Sequence, residues 1–159
     1  MEKIHFEEIL PYSAADLYGL VMDIEKYPEI FNDISKVRVT HVTDNERSVD
    51  VSVRTPTPMK NINYSCNVTG TPPNEIKIQA TTGAFKSMNA TWRFDTQPDG
   101  KTKVSYDMEF DFKNVFFNAV AGWVIDKGVK ATKADMISYA QKQLTPVTDN
   151  TQQPAEPKL

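Results

Sequence analysis

VFFNAVAGWVIDKGVKATKADMISYAQKQL, from Val115 to Leu144, decides the fold. It runs for about thirty residues without a proline, and at 1.5 Å per residue a helix of that length is roughly 45 Å long. That is more than a domain of this size needs for packing alone. Its apolar residues recur at three and four: Phe117, Val120, Ala121, Val124, Ile125, Val129, Met136, Ile137, Ala140 and Leu144. Lys127, Lys130 and Lys133 fall on the other side. The spacing predicts an amphipathic helix with one face on a core and one in solvent.

Everything before this stretch reads as its partner. Ile4, Phe6 and Leu10 alternate with more polar positions, which predicts a first strand over Lys3–Leu10, ended by Pro11. Ser13 stands three residues before Asp16 and caps a short helix through Leu17, Leu20, Val21 and Ile24. Tyr27-Pro28 breaks that helix, and a second short one is expected over Glu29–Ile34. From Ser35 the period changes to two. Val37 and Val39, then Val49, Val51 and Val53, then Ile62, Tyr64, Cys66 and Val68 mark successive strands, with a proline-bearing loop at Thr55–Lys60. Ile76 and Ile78 follow, then Met88, Ala90, Trp92 and Phe94, and after the Pro98-Asp99-Gly100 turn Tyr106, Met108, Phe110 and Phe112. With the first strand this makes an α+β fold, a curved antiparallel sheet of about seven strands with two short helices, wrapped around the long C-terminal helix. Residues 1–144 form one domain on this reading, and 145–159, polar and without periodicity, form a disordered tail.

Composition narrows the function classes. The chain has 159 residues, 40% of them hydrophobic and 25% charged, as in ordinary globular domains. A net charge of -3 argues against DNA or RNA binding by bulk phosphate neutralisation. A single cysteine, Cys66, allows no internal disulfide and fits a reducing compartment. No apolar run approaches the length of a membrane span, and MEKIHFEEIL lacks the apolar core of a signal peptide. The expected location is the cytoplasm, with peripheral contact to the inner face of a membrane as the alternative.

Chemistry-bearing constellations are scarce. His5 and His41 lie far apart with no partner cysteines, so no metal site is expected. Cys66 has the apolar parity of its strand and reads as a small buried side chain. Asp107, Glu109 and Asp111 fall opposite Tyr106, Met108, Phe110 and Phe112, which makes them a solvated face and not a catalytic cluster. The lysine stripe reads as the wet side of the helix; a membrane-surface role is the alternative, because Phe116, Phe117 and Trp123 lie one or two turns away. What remains is the inward face, which either fills a core or encloses an apolar pocket.

Two stretches carry a family resemblance. YSAADLYGLVMDIEKYPEIF (Tyr12–Phe31) holds Ser13, Ala14, Leu17, Tyr18, Tyr27 and Pro28, and TTGAFKSMNATWRF (Thr81–Phe94) holds Gly83, Phe85, Lys86, Trp92 and Phe94. Together with the element order they resemble the coenzyme Q-binding protein family, which includes RatA-type proteins. That family belongs to the helix-grip, START-like superfamily of polyketide cyclases, birch-pollen-allergen-like proteins and lipid-transfer domains. After Tyr27-Pro28 the family commonly continues toward Pro–Trp–Cys, whereas this chain reads Glu29-Ile30-Phe31-Asn32-Asp33-Ile34.

The resemblance implies a non-enzymatic binding or transfer protein for a polyisoprenoid quinone or lipid, held between sheet and C-terminal helix with no required cofactor. The residues expected to line that space are Tyr64, Met88, Trp92, Tyr106, Met108, Phe110, Val120 and Val124, with Phe31 and Phe117 as a gate. The resemblance also implies a second reading, an interaction protein whose partner is the large ribosomal subunit. A cyclase-like enzyme is the third, and it would need an acid/base pair among inward positions that offer little beyond tyrosines and Cys66.

Overall fold

In the computed structural model, residues 1–55, 61–114 and 117–147 are described. The expected loop over Thr55–Lys60 and the start of the expected helix, Val115-Phe116, fall mostly or wholly outside them, as does 148–159. Strands β1 (Glu2–Leu10), β2 (Ile34–Val42), β3 (Glu46–Val53), β4 (Ile62–Thr71), β5 (Glu75–Gly83), β6 (Phe85–Thr96) and β7 (Thr102–Phe112) form one sheet in the order β1-β7-β6-β5-β4-β3-β2. Every neighbouring pair is antiparallel. Register shifts at Ser65/Cys66, Phe85/Ser87 and Ile34/Lys36 mark bulges, which bend strands and so curl the sheet. Its outer face is polar: Ser48 donates to Asn67 (3.1 Å) and Ser52 to Asn63 (2.7 Å) across the strands.

Helix α1 (Ala14–Met22) starts where the sequence predicts, with the Ser13 hydroxyl accepting the Asp16 N–H at 3.1 Å. It buries Ala14, Leu17, Leu20 and Val21 on one face. A 3-10 turn (Ile24–Lys26) leads into α2 (Tyr27–Ile30). The second helix is therefore earlier than the expected Glu29–Ile34, and Ile34 already belongs to β2. The reason is local: Pro28 occupies the first turn, where its missing N–H costs nothing, so it opens the helix instead of preceding it.

The C-terminal helix runs through α3 (Asn118–Trp123), a π-helical turn (Val124–Gly128) and α4 (Val129–Gln143). The Val129 N–H reaches back five residues to the Val124 carbonyl. This extra residue separates two packing regions. Before it, Ala121, Val124 and Ile125 meet a small core of Phe85, Met88, Ala90 and Phe110. After it, Val129, Met136, Ile137 and Ala140 meet the main core, which includes Phe6, Leu17, Ile76, Trp92 and Phe94. The lysine stripe is exposed at Lys127 and Lys130, but Lys133 is half-buried and pairs with Glu8 of β1 at 2.6 Å. Beyond the helix, the Val147 N–H donates to the Pro11 carbonyl (2.8 Å), which holds the start of the tail against the α1 entry.

Candidate functional site

Tyr64, Ile78 and Tyr106 touch both cores, and between the two lies a cavity of about 170 Å³. Its floor is the concave face of β4–β7, bearing Tyr64, Ile78, Trp92, Tyr106 and Phe110. Its roof is the π-helical region, with Trp123, Val124, Gly128 and Val129. Ring contacts fix the floor: Trp92 lies 4.6 Å from Tyr106, Phe6 stacks on Tyr106 at 5.4 Å, and Phe85 meets Tyr64 at 5.0 Å and Phe112 at 4.9 Å. Such aromatic pairs give more than their buried area and hold one another in fixed orientations.

Tyr64 owes its placement to Gly83. The two residues are paired in the β4–β5 ladder, and Gly83 takes φ +108 with Tyr64 Cα only 2.5 Å from where a Cβ would stand. Glycine alone allows that approach. The glycine of the Gly–x–Phe–Lys segment thus acts on the site through backbone geometry, and Phe85 of the same segment supplies a wall.

The polar groups fall into an inner set and a rim. Inside, Tyr27, Tyr64 and Tyr106 have their phenols pushed above the ordinary value by burial, and for Tyr64 the neighbouring Cys66, Tyr106 and Tyr27 oppose ionisation further. The Tyr27 hydroxyl is engaged with the Val21 carbonyl at 2.5 Å. That of Tyr106 faces the Met108 sulfur at 3.4 Å, a weak acceptor. The Tyr64 hydroxyl has no hydrogen-bond partner among the described residues. Cys66 is buried in the main core with its thiol pushed up to about 12 by burial and by the Asp50 charge, so it is not a thiolate at neutral pH.

Asp33 and Asp135 stand at the rim. Asp135 accepts from the Asn32 backbone N–H (2.9 Å) and side-chain amide (3.3 Å), which ties the segment after α2 to α4. Arg54 donates to the Asn32 carbonyl at 2.6 Å. Burial, then the charge of Asp135, raises the Asp33 carboxyl, against the opposing pull of Arg54. Among the described residues no group of His, Cys, Asp and Glu has the arrangement of a metal site.

Of the residues expected to line the space, Tyr64, Trp92, Tyr106, Met108, Phe110, Val124 and Phe31 border the cavity. Three do not. Met88 is buried in the small core, Val120 is buried on the helix, and Phe117 rests on Phe112 at 5.3 Å. Phe31 packs edge-on to Tyr27 at 5.1 Å. Met88 has the right strand parity and pairs with the lining residue Phe110, but its side chain is taken up by the small core. Trp123, which the alternative membrane-surface reading includes, is among the residues bordering the cavity. Sequence reasoning missed Ile78 and Phe85, whose alternation was legible. It also missed Asp33 and Asp135, which no local pattern brings together.

The family described as "Polyketide cyclase / dehydrase and lipid transport" matches residues 10–137. The chain belongs to that family. Its curated relatives include proteins named "Ribosome association toxin RatA", from Pseudomonas aeruginosa (24% identical, covering 86% of this chain and 92% of the relative) and from Escherichia coli K12 (23%, covering 78% and 77%). Among solved structures it resembles the Zhui aromatase/cyclase from Streptomyces sp. R1128 (TM-score 0.78, 13% identity, covering 89% of this chain and 94% of that one). It also resembles a STAR-related lipid transfer protein from Xanthomonas axonopodis (TM-score 0.75, 14% identity, 87% and 85%). The RatA-type, START-like resemblance and the helix-grip architecture read in the sequence are matched by these relatives and neighbours. These two solved structures share the fold of this chain. No helix among the described residues is long and apolar enough to cross a membrane.

Proposed function

We propose that this protein binds a hydrophobic small molecule, a quinone or lipid, in the cavity between sheet and C-terminal helix, and that it does so without catalysing a reaction. The observation that carries the reading is the cavity itself, an aromatic-floored space whose polar lining includes phenols held in their protonated form. A phenol shifted upward is a poor base at neutral pH, and general acid–base catalysis needs a group poised near the operating pH. Burying apolar ligand surface stabilises a complex by roughly 25 cal/mol per Å² before the costs of association. At about 170 Å³ the cavity suits a ring system, below the roughly 300–1,000 Å³ of sites that enclose a drug-sized ligand. A long isoprenoid or acyl tail extends beyond this space.

The test is mass spectrometry of the organic extract from protein purified without detergent, alongside a Val124→Phe variant that fills the roof. A near-stoichiometric hydrophobic molecule in the parent and its loss from a variant with unchanged unfolding midpoint support the reading. Identical extracts from both proteins would overturn it. A second reading, ribosome association, is favoured by the RatA-named relatives, whose similarity spans most of the chain. It predicts co-sedimentation with ribosomal subunits, and the net charge of -3 counts against a contact made mainly through RNA phosphates.

A further inference from the structure

At its rim the cavity is bordered by the turn from α2 into β2, with Phe31, Asp33 and Ile34, and by α4, with Val129, Thr132 and Asp135. The hydrogen bonds that join these two walls are polar and exposed: the Asp135 carboxylate accepts from the Asn32 backbone N–H at 2.9 Å and from its side-chain amide at 3.3 Å. Elsewhere the two walls are anchored very differently. The helix is fixed by Met136 and Ala140, fully enclosed in the main core, and by the Lys133–Glu8 pair. The turn is held from the sheet side by Arg54, whose backbone N–H donates to the Asp33 carbonyl (2.7 Å) and whose guanidinium donates to the Asn32 carbonyl (2.6 Å). The seam between turn and helix also carries a repulsion, since the Asp33 carboxyl is raised by burial first and then by the charge of Asp135, against the pull of Arg54. A seam closed by exposed hydrogen bonds opens at far lower cost than one closed by buried apolar packing.

We propose that the α2–β2 turn is the door of the cavity and that Asp135 is its latch: a ligand passes between the turn and α4 when the Asp135–Asn32 bonds release. Arg54 is the hinge side, keeping the turn attached to β3, and α4 stands still. This rests on the binding reading above and adds to it how the cavity exchanges its contents. The latch closes the empty and the loaded protein alike, so it governs the rates of entry and exit and not the choice of ligand. Asp135 is thus a positioning residue, acting on exchange through Asn32.

Stopped-flow mixing with N-phenyl-1-naphthylamine, a neutral apolar fluorophore, tests it. The signal is quenching of Trp92 and Trp123, the chain's two tryptophans, both of which border the cavity. In Asp135→Ala the association and dissociation rates should both rise, each by about tenfold, so that their ratio moves far less than either rate. Asp135→Asn keeps one acceptor oxygen without the charge and should fall between the alanine variant and the parent. Lys133→Ala cuts the other polar tie of α4 and should leave both rates as in the parent. Unchanged rates in Asp135→Ala, a change in one rate alone, or equal acceleration by Lys133→Ala would each overturn the latch. Cavity binding survives those results so long as Val124→Phe still abolishes the signal. Probe binding that Val124→Phe leaves untouched, or no binding by the parent, removes cavity binding and the latch with it.

Discussion

Replacing Gly83 by alanine should damage both stability and the site, because this residue is where the backbone of β5 touches the backbone of β4. Its φ of +108 lies in a region that side chains rarely adopt, and an added Cβ would stand 2.5 Å from the Asn63 carbonyl oxygen and 2.5 Å from Tyr64 Cα. Both obstacles are main chain, so no rotamer change relieves them. The segment is also clamped: the Ala84 N–H donates to the Asn63 carbonyl (3.1 Å), and the Ala84 carbonyl accepts from Lys113 N–H (3.0 Å). A side chain held in such a backbone conformation costs about 1–3 kcal/mol. Overpacking against a fixed neighbour costs about another 1–3 kcal/mol. Gly83→Ala should therefore lose about 2–6 kcal/mol, a large part of the roughly 5–15 kcal/mol that stabilises a typical domain. Urea unfolding followed by tryptophan fluorescence measures this directly. Gly19→Ala is the control, since Gly19 lies inside α1 and nothing stands within 4 Å of its added Cβ. That change should be neutral or stabilising by up to about 1 kcal/mol. A Gly83→Ala midpoint within error of the parent would refute the close-approach argument and the account of how Tyr64 is held in the cavity.

The remaining predictions concern protons. Tyr27, Tyr64 and Tyr106 have folded-state pKa values above the unfolded value near 10, so the folded chain retains protons that the unfolded chain releases. Stability should be unaffected by these groups below about pH 10 and should fall as pH rises beyond it. Phenolate absorbance from these rings should appear together with unfolding, and a titration of all tyrosines well before unfolding would contradict the burial. Asp33 is also raised, so as a carboxylate it weighs against folding above the usual Asp range and is neutral in effect below it. Asp33→Asn should stabilise the protein at neutral pH and lose that advantage below about pH 4, and thermal melts at both pH values decide it. An equal gain at both would point to packing instead of charge.

Much of the architecture could be read from period and punctuation. The strands were legible because one face of the sheet is buried and the other wet, so Val49, Cys66, Ile76, Trp92 and Phe110 alternate with polar residues. Ser13 announced its helix because capping is a local hydrogen bond. The Pro98-Asp99-Gly100 turn held because Gly100 takes φ +88, as such a turn demands. The start of α2 was misplaced because Tyr27-Pro28 reads equally as a break or as a first turn. The π-helical turn was invisible: Val124, Ile125 and Val129 at spacings of four and five look like an ordinary apolar stripe. The carboxylates of Asp33 and Asp135 meet only through tertiary packing. Nor could alternation separate a filled core from a cavity, since Trp92, Tyr106 and Phe110 face inward in either case.

The space persists because the helix above it is committed at both ends. Ala121 and Ile125 are held by the small core around Phe85 and Phe110, while Met136 and Ala140 are fully enclosed by the main one. The Asp135–Asn32 bonds and the Lys133–Glu8 pair add polar ties on the far side of the π-helical turn. For the helix to settle onto Trp92 and Tyr106 and close the gap, one of those cores would have to open, and truncating a single buried side chain of this size already costs about 2–5 kcal/mol. The extra residue between Val124 and Val129 lets a single helix present the correct face to each core despite the curvature of the sheet. Along this helix Met136 and Ala140 serve the core alone, whereas Val124 and Val129 pack on a core and also border the cavity. Substitutions at Val124 can reshape the cavity at modest cost to folding, whereas Met136 cannot change without weakening the whole domain.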